Sequence, residues 1–191
     1  MKKLSKINII LAVLFVLISI VTTIIKKDFI LLLFIGYVIL PFIFRIKPVL
    51  TLLYLVFGFI AMFLGNMVHL FRTVYWFDSF SHFLWGILSS LLAIYILDKF
   101  HMWNAKNIWF NILFIFIFSI ATSGVWEVCE FTIDSITGGD MQRRATGIFD
   151  TMKDILVALL GNLLFLLWFY YEYKEKKKLL IHTFEETMNK D

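Results

Sequence analysis

The sequence has few charged residues and a single cysteine. Charged residues occupy 17% of its 191 positions, against about a quarter in soluble domains. The one cysteine, Cys129, excludes an intrachain disulfide, and because it lies inside an apolar stretch it says little about the redox compartment. Internal repeats, low-complexity tracts and a segment typical of a soluble domain are also absent from the sequence. These absences leave the apolar segments as the main source of information.

Apolar residues fill 61% of the positions and lie in long unbroken runs. A soluble core does not need such runs, whereas a membrane-spanning helix needs about 20 mainly apolar residues in succession. The net charge of +4 does not indicate nucleic-acid binding, because the basic residues lie at segment ends, where they set topology and contact lipid headgroups. We therefore expect an integral membrane protein whose partners are membrane lipids and not nucleic acid. The oligomeric state stays open.

Six segments predict an all-α membrane protein, a compact bundle of six transmembrane helices within residues 1–171. Residues 172–191 are expected to form a basic cytoplasmic tail. The first segment follows three lysines, as in a signal peptide, but its apolar run is too long and no small-x-small cleavage site follows it. It is therefore interpreted as a retained anchor. The predicted helices are residues 8–25, 29–44, 48–71, 79–97, 107–136 and 148–171.

Basic residues divide unequally between the two sides of this predicted bundle. Twelve lysines and arginines lie on the side of the N-terminus and six on the other side, which favours both termini in the cytoplasm. The start of the fourth helix, the end of the fifth and the start of the sixth then face outward. This placement depends on the count of six spans, because one span more or fewer would separate the three helix ends.

Ionisable side chains stand at helical spacings at those three helix ends, where they are costly and usually functional. Residues three or four apart share a helix face. The ionisable residues are Asp78 and His82, then Glu127, Glu130 and Asp134, then Asp150 and Asp154. Further in, the same faces carry small or polar residues, namely Gly86, Ser89 and Ala93, then Ser123 and Ser119, then Ala158, Gly161 and Asn162. Since small residues permit close helix packing, we expect the three faces to meet around one pocket.

So many carboxylates in one partly desolvated pocket require compensation, because like charges disfavour each other's ionised form. Arginines, protons or a divalent cation can provide it, and Arg72, Arg143 and Arg144 are the candidate arginines. Mixed carboxylate and imidazole ligands suit Mn, Fe or Zn, and an all-oxygen set suits Mg. The predicted cofactor is therefore a divalent metal of one of these four kinds. Its predicted ligands are His82, Glu127, Glu130, Asp150 and Asp154.

The favoured function is metal-assisted hydrolysis or transfer on a lipid-linked substrate at the extracytoplasmic side. Asp78, His82 and Glu127 are the predicted catalytic residues, with Asp78 orienting His82 or acting as a base. Arg143 and Arg144 are predicted to bind a phosphate. Two alternatives stay open, namely a proton- or cation-coupled transporter and a non-catalytic membrane subunit. Enzymatic activity is therefore uncertain.

Two other residues near the cluster receive simpler interpretations. Lys153 is expected to extend its ammonium group to the membrane surface. Trp126 is expected to belong to an interfacial aromatic belt.

Three sequence elements carry a resemblance to a known family. Taken in order, SFSHFLWG, WEVCEF and GIFDTMKDILVALLGNLL resemble the YjdF-like proteins, a family of small multi-pass bacterial inner-membrane proteins whose function is not established. The similarity covers roughly residues 55–170. It implies a multi-pass protein of the bacterial plasma membrane and supplies no reaction. The matching residues are Asp78 with His82 and Gly86, Glu127 with Glu130, and Asp150 with Asp154 and Gly161.

Overall fold

The computed structural model describes residues 2–26, 33–104, 106–142 and 147–175, and the regular structure in these ranges is entirely helical. The prediction of an all-α protein is therefore confirmed for the described part of the chain. Helix α3 continues directly into a π-helical segment, Phe59–Met67. The helices are α1 (Lys2–Lys26), α2 (Leu33–Ile43), α3 (Pro48–Gly58), α4 (Leu70–Thr73), α5 (Phe77–Lys99), α6 (Ile108–Thr137) and α7 (Ile148–Glu175).

Among the residues that the structure describes, five helical stretches are long and apolar enough to cross a membrane. The sixth predicted crossing corresponds to α2, whose 11 described residues extend about 16 Å, well short of a hydrocarbon core of about 30 Å. A multi-pass helical protein is thus supported, while the sixth crossing and the cytoplasmic position of both termini stay predictions. The five stretches are Lys3–Ile25, Pro48–Met67, Phe77–Lys99, Ile108–Thr137 and Ile148–Glu175.

The described chain divides into two compact units, the first ending at Phe77 and the second beginning at Asp78. In the first unit, α1, α2 and α3 pack around a core of apolar side chains. Tyr37 stacks on Tyr54 with ring centroids 4.1 Å apart, and the Tyr37 hydroxyl donates to the Tyr54 carbonyl at 2.8 Å. The core residues are Phe15, Phe34, Val38 and Leu55.

The second unit consists of α5, α6 and α7, and its helices meet along the small residues that the sequence indicates. A Cβ atom added at Gly86 would overlap the carbonyl oxygen of Ala158, and one added at Gly161 would overlap that of Phe83. The backbones of α5 and α7 are therefore in direct contact, which only glycine permits at these two positions. The prediction of close packing along these faces is confirmed for α5 and α7.

Polar side chains continue this contact one turn further along the helices. The hydroxyl oxygens of Ser89 and Ser119 lie 2.8 Å apart and join α5 to α6. The side-chain amide of Asn162 donates to the Ser90 hydroxyl at 2.8 Å and joins α7 to α5. Because these groups are buried and bonded to each other, the hydrocarbon surroundings do not penalise them.

The end of the second unit beyond these serines has a mainly apolar core. Ile94, Leu97, Ile115 and Phe169 are among the buried residues of this core, and Trp103 packs against it. Asn111 and Glu172 are also buried at this end. The unit therefore has a mainly apolar end, a small and polar middle, and an opposite end that carries the ionisable residues. Helix α7 continues to Glu175, beyond its predicted end at 171, and residues 176–191 of the predicted tail lie outside the described residues.

Candidate metal centre

The start of α5, the end of α6 and the start of α7 converge in the second unit. Close contact between α5 and α7 at Gly86 and Gly161 brings the first turns of both helices together. The antiparallel α6 adds its last turns from the third side. The polar side chains His82, Glu127, Asp150 and Asp154 are buried there, at 7%, 4%, 6% and 2% exposure, although such residues are almost never buried without partners.

His82 lies at the centre of this cluster. Its Nε2 atom is 3.6 Å from Asp78 Oδ1, 3.8 Å from Asp154 Oδ2 and 4.0 Å from Glu127 Oε1. Hydrogen bonds between such groups measure about 2.7–3.0 Å, so all three distances are too long for direct bonds. The imidazole is thus surrounded by carboxylates from three helices with space between them.

Asp78, His82 and Asp154 form a group with the dimensions of a metal site. One ligand atom from each lies within 4.8 Å of the other two. Ligands at about 2.1 Å from a tetrahedral metal are separated by roughly 3.4 Å. The 3.6 and 3.8 Å separations from the imidazole are close to this value, and the two carboxylate oxygens lie within 4.8 Å of each other.

Glu127 adds a fourth group to the cluster, a carboxylate that lacks hydrogen bonds from the described residues. Neither of its carboxylate oxygens has a hydrogen-bond partner among the described residues, and both are buried. Burying a carboxylate without a partner costs several kcal/mol. A bound cation beside His82 would remove this cost.

Lys153 supplies a positive charge to the cluster from α7. Its Nζ atom lies 2.8 Å from Asp150 Oδ1, 3.3 Å from Asp154 Oδ1 and 3.7 Å from Asp78 Oδ2. The expectation that Lys153 simply extends to the membrane surface is therefore incomplete, since its ammonium group faces three carboxylates. Within the described part of the chain, Lys153 therefore brings one positive charge to a cluster of four acids, these three and Glu127.

Two of the predicted ligands have other partners in the structure. Asp150 accepts the short hydrogen bond from Lys153. Glu130 accepts a hydrogen bond from the indole N–H of Trp126 at 2.8 Å, so Trp126 also does more than line the interface. Neither Glu130 nor Asp150 belongs to the group of three that could hold an ion, and their role as ligands stays a prediction.

Asp134 organises the loop that follows α6. Its two carboxylate oxygens accept the backbone N–H groups of Met141 at 2.9 Å and Gln142 at 3.0 Å. Gly138 ends the helix in the left-handed region at φ 71°, where glycine is favoured. Gln142 then donates to the Glu127 carbonyl and to the Thr151 hydroxyl, both at 3.2 Å. The loop thereby links the end of α6 to the start of α7.

The role of the three predicted arginine partners at this site stays a prediction. Arg143 and Arg144 lie outside the described residues, so phosphate binding by them stays a prediction. Arg72 belongs to the first unit. Sequence reasoning missed Lys153 and Gln142 as parts of the cluster, although the three-residue spacing from Asp150 to Lys153 was a usable signal for one of them.

These features define a class, a multi-pass helical membrane protein with a buried carboxylate and histidine cluster at one end of its last three described helices. The family described as "Predicted membrane protein (DUF2238)" matches residues 4–175, and the chain belongs to this family. No curated protein and no solved structure matches the chain. The membership fits the YjdF-like resemblance, whose label and bacterial location stay predictions.

Proposed function

We propose that this protein binds a divalent cation through Asp78, His82 and Asp154. In this proposal it uses the cation for hydrolysis or transfer at a phosphate or ester of a lipid-linked substrate. The observation that carries the proposal is the convergence of these three ligand groups beside the buried carboxylate of Glu127, which has no hydrogen-bond partner among the described residues. Hydrogen bonds to His82 do not account for this convergence, because the carboxylates stand too far from the imidazole.

The ligand set supports a catalytic site more than a purely structural one. Three protein ligands leave a coordination position for water or substrate, as in catalytic zinc sites. A metal at this position would polarise the substrate oxygen and favour ionisation of a bound water. In this proposal Glu127 would accept a proton from that water as the new oxygen bond forms, and would return it to the oxygen that leaves. Substrates with an apolar tail suit a site near the end of apolar helices.

Measurement of bound metal in purified full-length protein tests the proposal. After exposure to Mn²⁺ or Zn²⁺ and removal of free metal, the wild-type protein should retain about one ion per chain, while His82→Ala and Asp154→Asn should lose it. Asp98→Asn, which removes an acid at the other end of α5, is the matched control and should retain the ion. Equal metal content in wild type and His82→Ala would contradict the proposal.

Glu127→Gln separates two roles for that carboxylate. Loss of metal in this variant would identify Glu127 as a fourth ligand. Retained metal with lost hydrolysis of lipid phosphate esters would identify it as the base. In either role, the wild-type Glu127 carboxylate would interact with the metal or with its bound water, and its oxygens would then have the partner that they lack among the described residues.

A transport role for the same carboxylates is less favoured by the second unit. A polar track leads inward from Glu127 through Ser123 and Ser119, all buried on one face of α6. It is interrupted at Ile115, within the apolar core, and the buried Asn111 beyond it on the same face is bonded to Asn104. Transport needs a polar path to both sides, so a one-sided site is the better interpretation. Proton flux in liposomes that disappears in Glu130→Gln would reverse this preference.

A metal-free protein with an intact fold would favour the remaining alternative, a non-catalytic membrane subunit.

A further inference from the structure

Two adjoining cavities lie on the first unit. A cavity of about 240 Å³ between α1 and α2 is lined by apolar side chains, including Val13, Leu17 and Ile39. A second, of about 160 Å³, is lined by apolar side chains and by four polar residues, among them Asn8 and Arg45. Phe42 lines both cavities. Together they form one groove with an apolar stretch and a polar end.

Asn8 leaves an unused acceptor at the polar end of this groove. The residue is 2% exposed, and its side-chain N–H donates to the Pro48 carbonyl at 2.7 Å. Because that partner only accepts, the amide nitrogen must face it, which fixes the orientation of the carboxamide. The Oδ1 atom then has no hydrogen-bond partner among the described residues. A group that donates a hydrogen bond is missing here.

The same end of the groove favours an anion. Arg45, in the turn before α3, lines the cavity together with Pro48 and Thr51 of the first turn of α3. Lys47 makes no side-chain capping bond at this helix start, and a helix N-terminus attracts negative charge. A guanidinium group binds phosphate strongly. The polar end therefore suits a ligand that carries both a phosphate and a hydrogen-bond donor.

The groove as a whole, with its polar end and its apolar stretch, is about as long as one leaflet of the hydrocarbon core is thick. From Asn8 to Leu17 the helix rises about 14 Å, close to half of the hydrocarbon core of about 30 Å. Val13 and Leu17, which line this stretch, are each 52% exposed. A free phosphate would leave the stretch unfilled, whereas an acyl chain would cover it.

We propose that this groove binds one phospholipid. Its phosphodiester lies at Arg45 and the start of α3, a headgroup O–H or N–H donates to Asn8 Oδ1, and one acyl chain follows α1 from Ala12 to Leu17. Phosphoglycerol and phosphoethanolamine headgroups have the required donor, and phosphocholine does not. The site involves only residues of the first unit and does not depend on the metal centre.

Native mass spectrometry of the full-length protein in detergent tests the lipid preference. Phosphatidylglycerol and phosphatidylethanolamine should bind roughly two- to tenfold more tightly than phosphatidylcholine with the same acyl chains, the range expected for one hydrogen bond. Asn8→Ala should abolish the preference for phosphatidylethanolamine over phosphatidylcholine, two lipids of the same net charge. Equal binding of all three lipids by the wild-type protein would overturn the proposal without any variant, and a thermal melt shows whether Asn8→Ala is folded.

Matched variants test the two ends of the groove. Arg45→Gln should weaken binding of all three phospholipids roughly tenfold or more, whereas Lys6→Gln, an exposed cation on α1 that does not line the groove, should not. Val13→Trp should block the apolar stretch, and Leu14→Trp, at 47% exposure on the same turn but outside the groove, should not.

Glycerol phosphate without acyl chains should not bind measurably. Binding of glycerol phosphate as tight as that of the lipid would identify a site for free phosphate esters and reject the lipid.

Discussion

At the scale of single residues, Lys153 differs most from its expected role. A lysine near a helix end in a membrane usually extends its charge to the surface, and 38% of this side chain is indeed exposed. Its ammonium group nevertheless lies within 4.0 Å of carboxylates from two helices. The pairing with Asp150 follows from helical spacing, but the approach of Asp78 depends on how α5 packs against α7.

Replacing Lys153 by Met should therefore destabilise the metal-free protein. Asp150, Asp154 and Asp78 would lose the cation that faces them, at a cost of about 1–3 kcal/mol for a partly exposed group. A divalent cation would offset the loss, so Mn²⁺ should raise the melting temperature more in the variant than in the wild type. Lys174→Met, an exposed lysine of the last turn of the same helix, is the control. An unchanged melting temperature in Lys153→Met would contradict the role of this ion pair.

At the scale of elements, the contact between α5 and α7 determines where the site forms. Gly86 and Gly161 allow the two backbones to touch, and the ionisable first turns of both helices follow from that contact. The polar pairs Ser89–Ser119 and Ser90–Asn162 hold α6 and α7 in register with α5. The site is thus a consequence of helix packing further along the same faces.

Gly161→Ala should disturb the site from two turns away. The added methyl group would overlap the Phe83 carbonyl, so the helices must separate, at a cost of about 1–3 kcal/mol. The variant should melt at a lower temperature and lose bound metal. Gly124→Ala on α6, where an added Cβ meets nothing within 4 Å, should be neutral or slightly stabilising because alanine favours helix. Equal melting temperatures for the two variants would show that the close approach is not needed.

The helices and the faces along which they meet could be predicted from the sequence. The hydrogen-bond partners of each acid were harder to predict. Helical spacing and small residues were enough to bring Asp78, His82, Glu127 and Asp154 together. The same spacing placed Glu130 in the set, yet its oxygen is bonded by Trp126. Asp134 instead holds the backbone of the following loop. Such partners depend on side-chain rotamers and loop paths, which a periodicity of 3.6 residues does not encode.

At the scale of the whole molecule, the number of crossings decides on which side each terminus lies. Six crossings place both termini on one side, and five place them on opposite sides. Helix α2 accounts for this ambiguity, because its 11 described residues are too few to span the membrane. The orientation of the second unit can be tested separately. Helix α6 has 30 residues, enough to span the membrane, and it joins the mainly apolar end of that unit to the candidate metal centre.

Cysteine labelling at the two ends of α6 tests whether the candidate metal centre faces outward. In a Cys129→Ser background, Asp140→Cys places a thiol in the exposed loop after α6, and Met102→Cys places one in the exposed loop before it. A membrane-impermeant maleimide added to intact cells should label the first variant, and should label the second only after permeabilisation. This outcome follows from the distribution of basic residues, twelve against six. The reverse pattern would place the cluster on the cytoplasmic side and would require a cytoplasmic substrate.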